Sequence, residues 1–134
     1  MYSWSVAAPY TLKKLTEVED SGAKFGLDAV QEARFAKDDL EAADTGVSYQ
    51  RLKPGKRQLF GHRHENAEEV YVVLAGSGRV KLDDEIIDLD TLDAIRVAPQ
   101  VTRAFEAGSD GIELLAFGPR LDGDGEVIQG WWSD

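Results

Sequence analysis

The amino-acid sequence predicts an all-β fold, an antiparallel sandwich or barrel, and three observations carry that prediction. Short runs rich in Val, Ile, Tyr, Phe and Leu recur at spacings of about 8–12 residues. Turn-forming residues separate them, among them Pro54-Gly55, Asp83-Asp84, Pro99, Gly108 and Gly118-Pro119. No long segment carries the period of an amphipathic helix, so strands do not alternate with helices as a parallel α/β sheet requires.

In chain order, residues 1–30 read as a lead-in. Within it, Thr11 to Asp20 predicts a short helix with Leu12, Leu15 and Val18 on one side, and Gly22 and Gly26 then break the chain. Val30 to Ala36 is the first strand. Val47 to Leu52 follows and stops at Pro54-Gly55. Gln58 to His64 is the third strand, and Glu69 to Ala75, rich in valine, the fourth. Gly78 to Leu82 and Glu85 to Leu89 flank Asp83-Asp84 and read as a hairpin. Ala94 to Val97, Val101 to Ala107 and Gly111 to Phe117 complete the set. The core barrel is thus expected at about 45–118, in a single domain with at most one or two short helices. Residues 119–134 form a glycine- and acid-rich tail whose Trp131 and Trp132 are too apolar to stay in water. They are expected to pack on the barrel or on a second subunit.

Composition narrows the function. A net charge of −10 repels nucleic acid, and the lysines and arginines are scattered. Six acids lie between Asp83 and Asp93 with no base among them, which reads as a solvated surface. The longest apolar run, Val70 to Ala75, is far short of the roughly 20 residues of a membrane span. The start, MYSWSVAAPYTLKK, does not read as a secretory signal. The absence of cysteine rules out disulfides and thiolate chemistry and agrees with a cytoplasmic location.

The chain's two histidines are His62 and His64. Two residues apart on a strand, both point to one face, and Gln58 and Phe60 share their parity. Glu69 lies five residues beyond His64, and strand pairing can bring it to the same face, with Tyr71 and Val73 as its face-mates. Two imidazoles and a carboxylate suit a divalent metal such as Fe, Mn, Ni, Co or Zn. The competing reading is a set of polar residues at a barrel mouth.

The segment also resembles the first motif of the cupin superfamily, with Pro54-Gly55, His62, His64, Glu69 and Gly76 in the motif positions. Glu68 offers the alternative three-residue spacing, but only Glu69 leaves a gap of six residues to Gly76. The second motif is degenerate. Leu92-Asp93 stands for Gly-Asp, Pro99 aligns, and Arg103 falls where a fourth ligand histidine is expected, with Phe105 and Gly108 beyond it. The likeness covers about residues 45–118 and is nearest to small single-domain bacterial cupins. It implies an antiparallel double-stranded β-helix, a jelly-roll barrel, commonly a homodimer. It also implies a metal held by His62, His64 and Glu69, and a small organic ligand met by Arg103, Tyr71, Phe60 and Gln58. Many reactions share this fold, so no catalytic residue follows from it.

Arginine keeps its proton and cannot replace histidine as a ligand. Three arrangements are open: Arg103 turns aside, it grips an anionic ligand bidentately, or it pairs with Glu69 in a metal-free pocket.

Overall fold

Strand pairing and turn chemistry produce a single curled antiparallel sheet. The computed structural model describes residues 9–134, so the first eight residues of the lead-in lie outside the described residues. The strands are β1 (Gln31–Phe35), β2 (Thr45–Leu52), β3 (Gly61–His64), β4 (Glu69–Leu82), β5 (Glu85–Leu89), β6 (Ala94–Val97), β7 (Arg103–Pro119) and β8 (Gly125–Ile128). A 3-10 turn at Leu15–Glu17 and a four-residue helix α1 (Ser21–Lys24) precede them. No helix among the described residues is long and apolar enough to cross a membrane.

Curling comes from β4 and β7, which pair along almost their whole lengths and belong to both halves of the barrel. The first half of β4 joins β6, and the second joins β5 through the Asp83-Asp84 turn. The far half of β7 joins β2, and β2 joins β1. The near half of β7 meets β3, whose other neighbour is β8. The register slips at Val73/Ala75 and at Gly76/Gly78, which is where β4 bends. Gly76 sits at φ +75°, and a Cβ there would lie 2.1 Å from the carbonyl oxygen of Gly111. The two bent strands approach so closely that only hydrogen fits between them.

Alternation places one face of each strand inside. Leu52, Tyr71, Val73, Val80, Val97, Phe105, Ile112 and Leu114 form the buried core, with Tyr71 and Phe105 rings 4.8 Å apart.

The structure departs from the sequence reading at several places. The helix lies after Asp20 rather than before it, because the Asp20 side chain accepts the amide of Gly22 and caps α1. Gly22 is therefore inside the helix. Gly78 to Leu82 is not a separate strand but the continuation of β4, and Val101 to Ala107 merges with Gly111 to Phe117 as β7. Gln58 to Phe60 precedes β3 rather than forming part of it.

The tail carries a strand, β8, that its glycines and acids concealed. Beyond it both indoles return to the same chain. Trp131 covers Gly61 and lies under Lys81, whose Nζ is 4.2 Å from the ring centroid. Trp132 Nε1–H donates to the Gln58 carbonyl at 2.7 Å, and the Arg57 guanidinium stacks 4.3 Å from its ring. Arg57 and Arg79 both bind the carboxylate of Glu106.

Two outcomes test this account. Gly76→Ala should lower the unfolding free energy in urea by more than about 2 kcal/mol, through strain plus a backbone clash. Gly55→Ala, also at positive φ (+70°) but with open space around it, should cost only about 1–2 kcal/mol. Equal losses would contradict the close approach.

A second test uses acid. Burial opposes the Glu106 charge, but Arg79 and Arg57 outweigh it and hold the carboxyl below its ordinary pKa of 4.5. Its stabilisation is therefore present above about pH 4.5 and lost as pH falls through the lower folded value. Urea midpoints measured down the acid limb should fall less steeply in Glu106→Gln than in the wild type.

Candidate metal centre

Cross-strand register assembles the site. His62 on β3 stands directly opposite Arg103 on β7, and β4 brings Glu69 and Tyr71 to the same interior. His62 Nε2 and His64 Nε2 lie 3.4 and 3.2 Å from Glu69 Oε1. The two imidazoles meet edge to face, with ring centroids 5.4 Å apart. One ligand atom from each of the three side chains falls within 4.8 Å of the other two, the one such group of His, Cys, Asp or Glu among the described residues. Ligand atoms bonded to an ion at about 2.1 Å stand about 3.0–3.4 Å apart in tetrahedral or octahedral geometry. The two histidine–glutamate spacings match that range, and the donor set of two imidazoles and a carboxylate suits a divalent transition metal.

Glu68, the alternative acid, points outward and pairs loosely with Arg96 at 3.5 Å.

Arg103 has no exposed surface. Its NH2 donates to Glu69 Oε1 at 2.7 Å, its Nε to Tyr71 OH at 3.2 Å, and its NH1 to the carbonyls of Val101 and Pro99 at 2.7 and 3.1 Å. Of the three arrangements the sequence leaves open, the side chain thus takes the ion pair with Glu69. Tyr71 OH also donates to Glu69 Oε1, at 2.6 Å. A carboxylate has about four acceptor positions; both donors fall on Oε1, which leaves the second oxygen of Glu69 for an ion.

Burial raises the pKa of Glu69, but the adjoining His62 and His64 imidazoles, the Tyr71 hydroxyl and the Arg103 charge outweigh it, and the carboxyl stays well below its ordinary range. Tyr71 moves the other way, raised first by burial and then by the Glu69 charge, and remains a phenol at any physiological pH.

Gln58 and Phe60 line a small cavity of about 40 Å³ beside His62, with Leu27, Val30 and Gln31 opposite. The Gln58 amide is engaged by the protein, since its Oε1 accepts the Phe105 amide at 3.0 Å.

One residue of the site escaped the sequence reading. Asp124, in the turn before β8, places Oδ2 3.3 Å from His64 Nδ1. The tail's only signal was a Gly123-Asp124-Gly125 turn ahead of a short alternating run, and nothing in the spacing ties it to the histidines.

The family described as Cupin domain matches residues 48–117, just over half of the chain. The chain belongs to the cupin family. Solved structures agree on the fold. A cupin protein from Bacteroides fragilis is 26% identical with a TM-score of 0.68, over 87% of this chain and 89% of that one. A polyketide cyclase from Streptomyces resistomycificus is 19% identical with a TM-score of 0.71, over 92% of this chain and 87% of that one. A deletion mutant of oxalate decarboxylase from Bacillus subtilis is 20% identical with a TM-score of 0.73. There 96% of this chain covers only 33% of the larger protein. No curated protein sequence matches the chain. In this cupin two histidines and a glutamate converge in the interior as a group that could hold a metal ion, beside the buried Arg103.

Arg103→Ala should lower the unfolding free energy by about 3–5 kcal/mol, because it strands Glu69 in the interior. Arg103→Lys should rescue little, since one ammonium cannot serve four separate acceptors. An Arg103→Ala melting temperature equal to that of the wild type would show that the ion pair contributes nothing.

Proposed function

We propose that this cupin binds one divalent transition-metal ion through His62, His64 and Glu69 and uses it to hold a small organic ligand. The observation that carries the reading is the convergence of three ligand atoms within 4.8 Å of one another, with the two imidazole nitrogens 3.4 and 3.2 Å from the glutamate. A bound ion there would supply Lewis acidity, polarising an oxygen of the ligand or of a coordinated water. The protein's own groups do the rest. Tyr71 and Arg103 hold the glutamate in place through hydrogen bonds on Oε1, which leaves its second oxygen for the ion. Phe60, Leu27 and Val30 offer an apolar wall beside His62. Arg103, with its hydrogen bonds given to Glu69, Tyr71 and two carbonyls, is not free to clamp a carboxylate, so an anionic group on the ligand is met by the ion.

A second reading rests on a different observation, the buried Arg103–Glu69 pair at 2.7 Å. It neutralises the glutamate without any ion, and the barrel is then a metal-free small-ligand or dimerisation module.

Calorimetric titration with Fe(II), Mn(II), Co(II), Ni(II) and Zn(II) separates the two. The metal reading expects one ion per chain, with binding lost in His64→Ala and Glu69→Ala. Affinity should rise in Arg103→His, which adds a ligand and removes an opposing charge. If neither the wild type nor Arg103→His binds any of the five at millimolar metal, the second reading stands.

A further inference from the structure

His64 bridges two carboxylates. Its Nε2 faces Glu69 at 3.2 Å and its Nδ1 faces Asp124 at 3.3 Å. Nδ1 is buried, and its contact with Asp124 is too oblique for a well-formed hydrogen bond, which leaves it without any other partner.

Asp124 is built into the fold as few tail residues are. Its side chain is 3% exposed. Oδ1 accepts the backbone and side-chain N–H groups of Asn66, and Oδ2 accepts the amide of Ala67 at 3.0 Å. Its own carbonyl accepts the amide of Glu65. The carboxylate therefore anchors the short loop that runs from His64 to Glu69. Burial opposes its charge, but the Ala67 and Asn66 hydrogen bonds outweigh that and keep it ionised below the ordinary aspartate range.

We infer that Asp124 is a positioning residue for the metal centre, taking the Nδ1–H of His64 so that the Nε2 lone pair is directed at the ion. The inference rests on the metal reading above. The competition between the two carboxylates for the imidazole proton decides the tautomer. Glu69 Oε1 already accepts from Tyr71 and Arg103, whereas Asp124 Oδ2 has one donor, Ala67. The proton therefore goes to the Asp124 side. Ligand histidines are oriented in this way by a carboxylate on the far nitrogen, which also makes the ligating nitrogen more basic. The charge matters as well. Glu69 and Arg103 cancel, so the three ligands alone offer a dication no net negative field, and Asp124 restores one unit of it.

The test has two readouts. In the metal-free protein at alkaline pH, proton–nitrogen correlation spectra should show His64 as the Nδ1–H tautomer in the wild type and as Nε2–H in Asp124→Asn. Co(II) titration followed by visible absorption should give an affinity about 10- to 100-fold weaker in Asp124→Asn. Asn66→Ala is the control. It loosens the same loop but keeps the carboxylate, so its melting temperature should fall while tautomer and Co(II) affinity hold. An Nε2–H tautomer in the wild type overturns the inference even if Asp124→Asn fails to fold. So does an Asp124→Asn protein that folds with unchanged tautomer. Absence of Co(II) binding by the wild type would instead count against the metal reading, while the tautomer comparison still decides the role of Asp124.

Discussion

A single buried oxygen, Oε1 of Glu69, organises the interior. The neighbouring core side chains Val73 and Phe105 are apolar and give no solvation to a charge. An ionised carboxylate is tolerated in such surroundings only with charged or hydrogen-bonding partners. Arg103 and Tyr71 donate to it, and the two imidazoles close on it from β3. Arg103 is a buried charge in its turn and is satisfied by the Pro99 and Val101 carbonyls. The segment joining β6 to β7 is thereby pinned to the site, and four parts of the chain depend on one atom. Pairs of this kind rarely add stability beyond what apolar side chains of the same volume would give. Their presence in a core that is otherwise apolar points to a role in the site rather than in the fold.

Much of this was legible in the sequence, and the legible part was local. The His-x-His spacing fixes two side chains on one face whatever strand they lie on. The Asp83-Asp84 hairpin is announced by its turn, where Asp83 adopts φ 49°. The choice of Glu69 over Glu68 follows from its spacing to Gly76, and the bend at Gly76 explains why that spacing matters: it fixes the parity of β4 before the strand changes halves. What was not legible depended on partners far along the chain. The junctions inside β4 and β7 read as turns because their glycines are turn residues. They are instead bends in continuous strands, imposed by close crossing of backbones. Arg103 could be placed at an inward position by alignment, but its four acceptors come from two separate segments, 69–71 and 99–101. The helix was misplaced by a few residues because Leu12, Leu15 and Val18 mimic a helical stripe, while the capping aspartate lies beyond them.

The tail shows most clearly how the site depends on distant sequence. β3 carries both histidines, yet it pairs with β7 through one residue pair, His62 with Arg103. Its full ladder is with β8, from Gly61 opposite Ile128 to His64 opposite Gly125. Without β8 the histidine strand would be an edge held by the His62–Arg103 pair and by the His64 amide on the Pro99 carbonyl. Trp131 then covers Gly61, where any Cβ would lie 2.8 Å from the indole, so the start of β3 is held by packing as well as by hydrogen bonds. Trp132 ties the preceding segment through the Gln58 carbonyl. Asp124 finishes the arrangement at the other end of β3, against His64 and the loop to Glu69. Residues 124–132 thus hold β3 at its start, along its length and at its end. Composition made this stretch look like an appendage, but the position of both imidazoles depends on it.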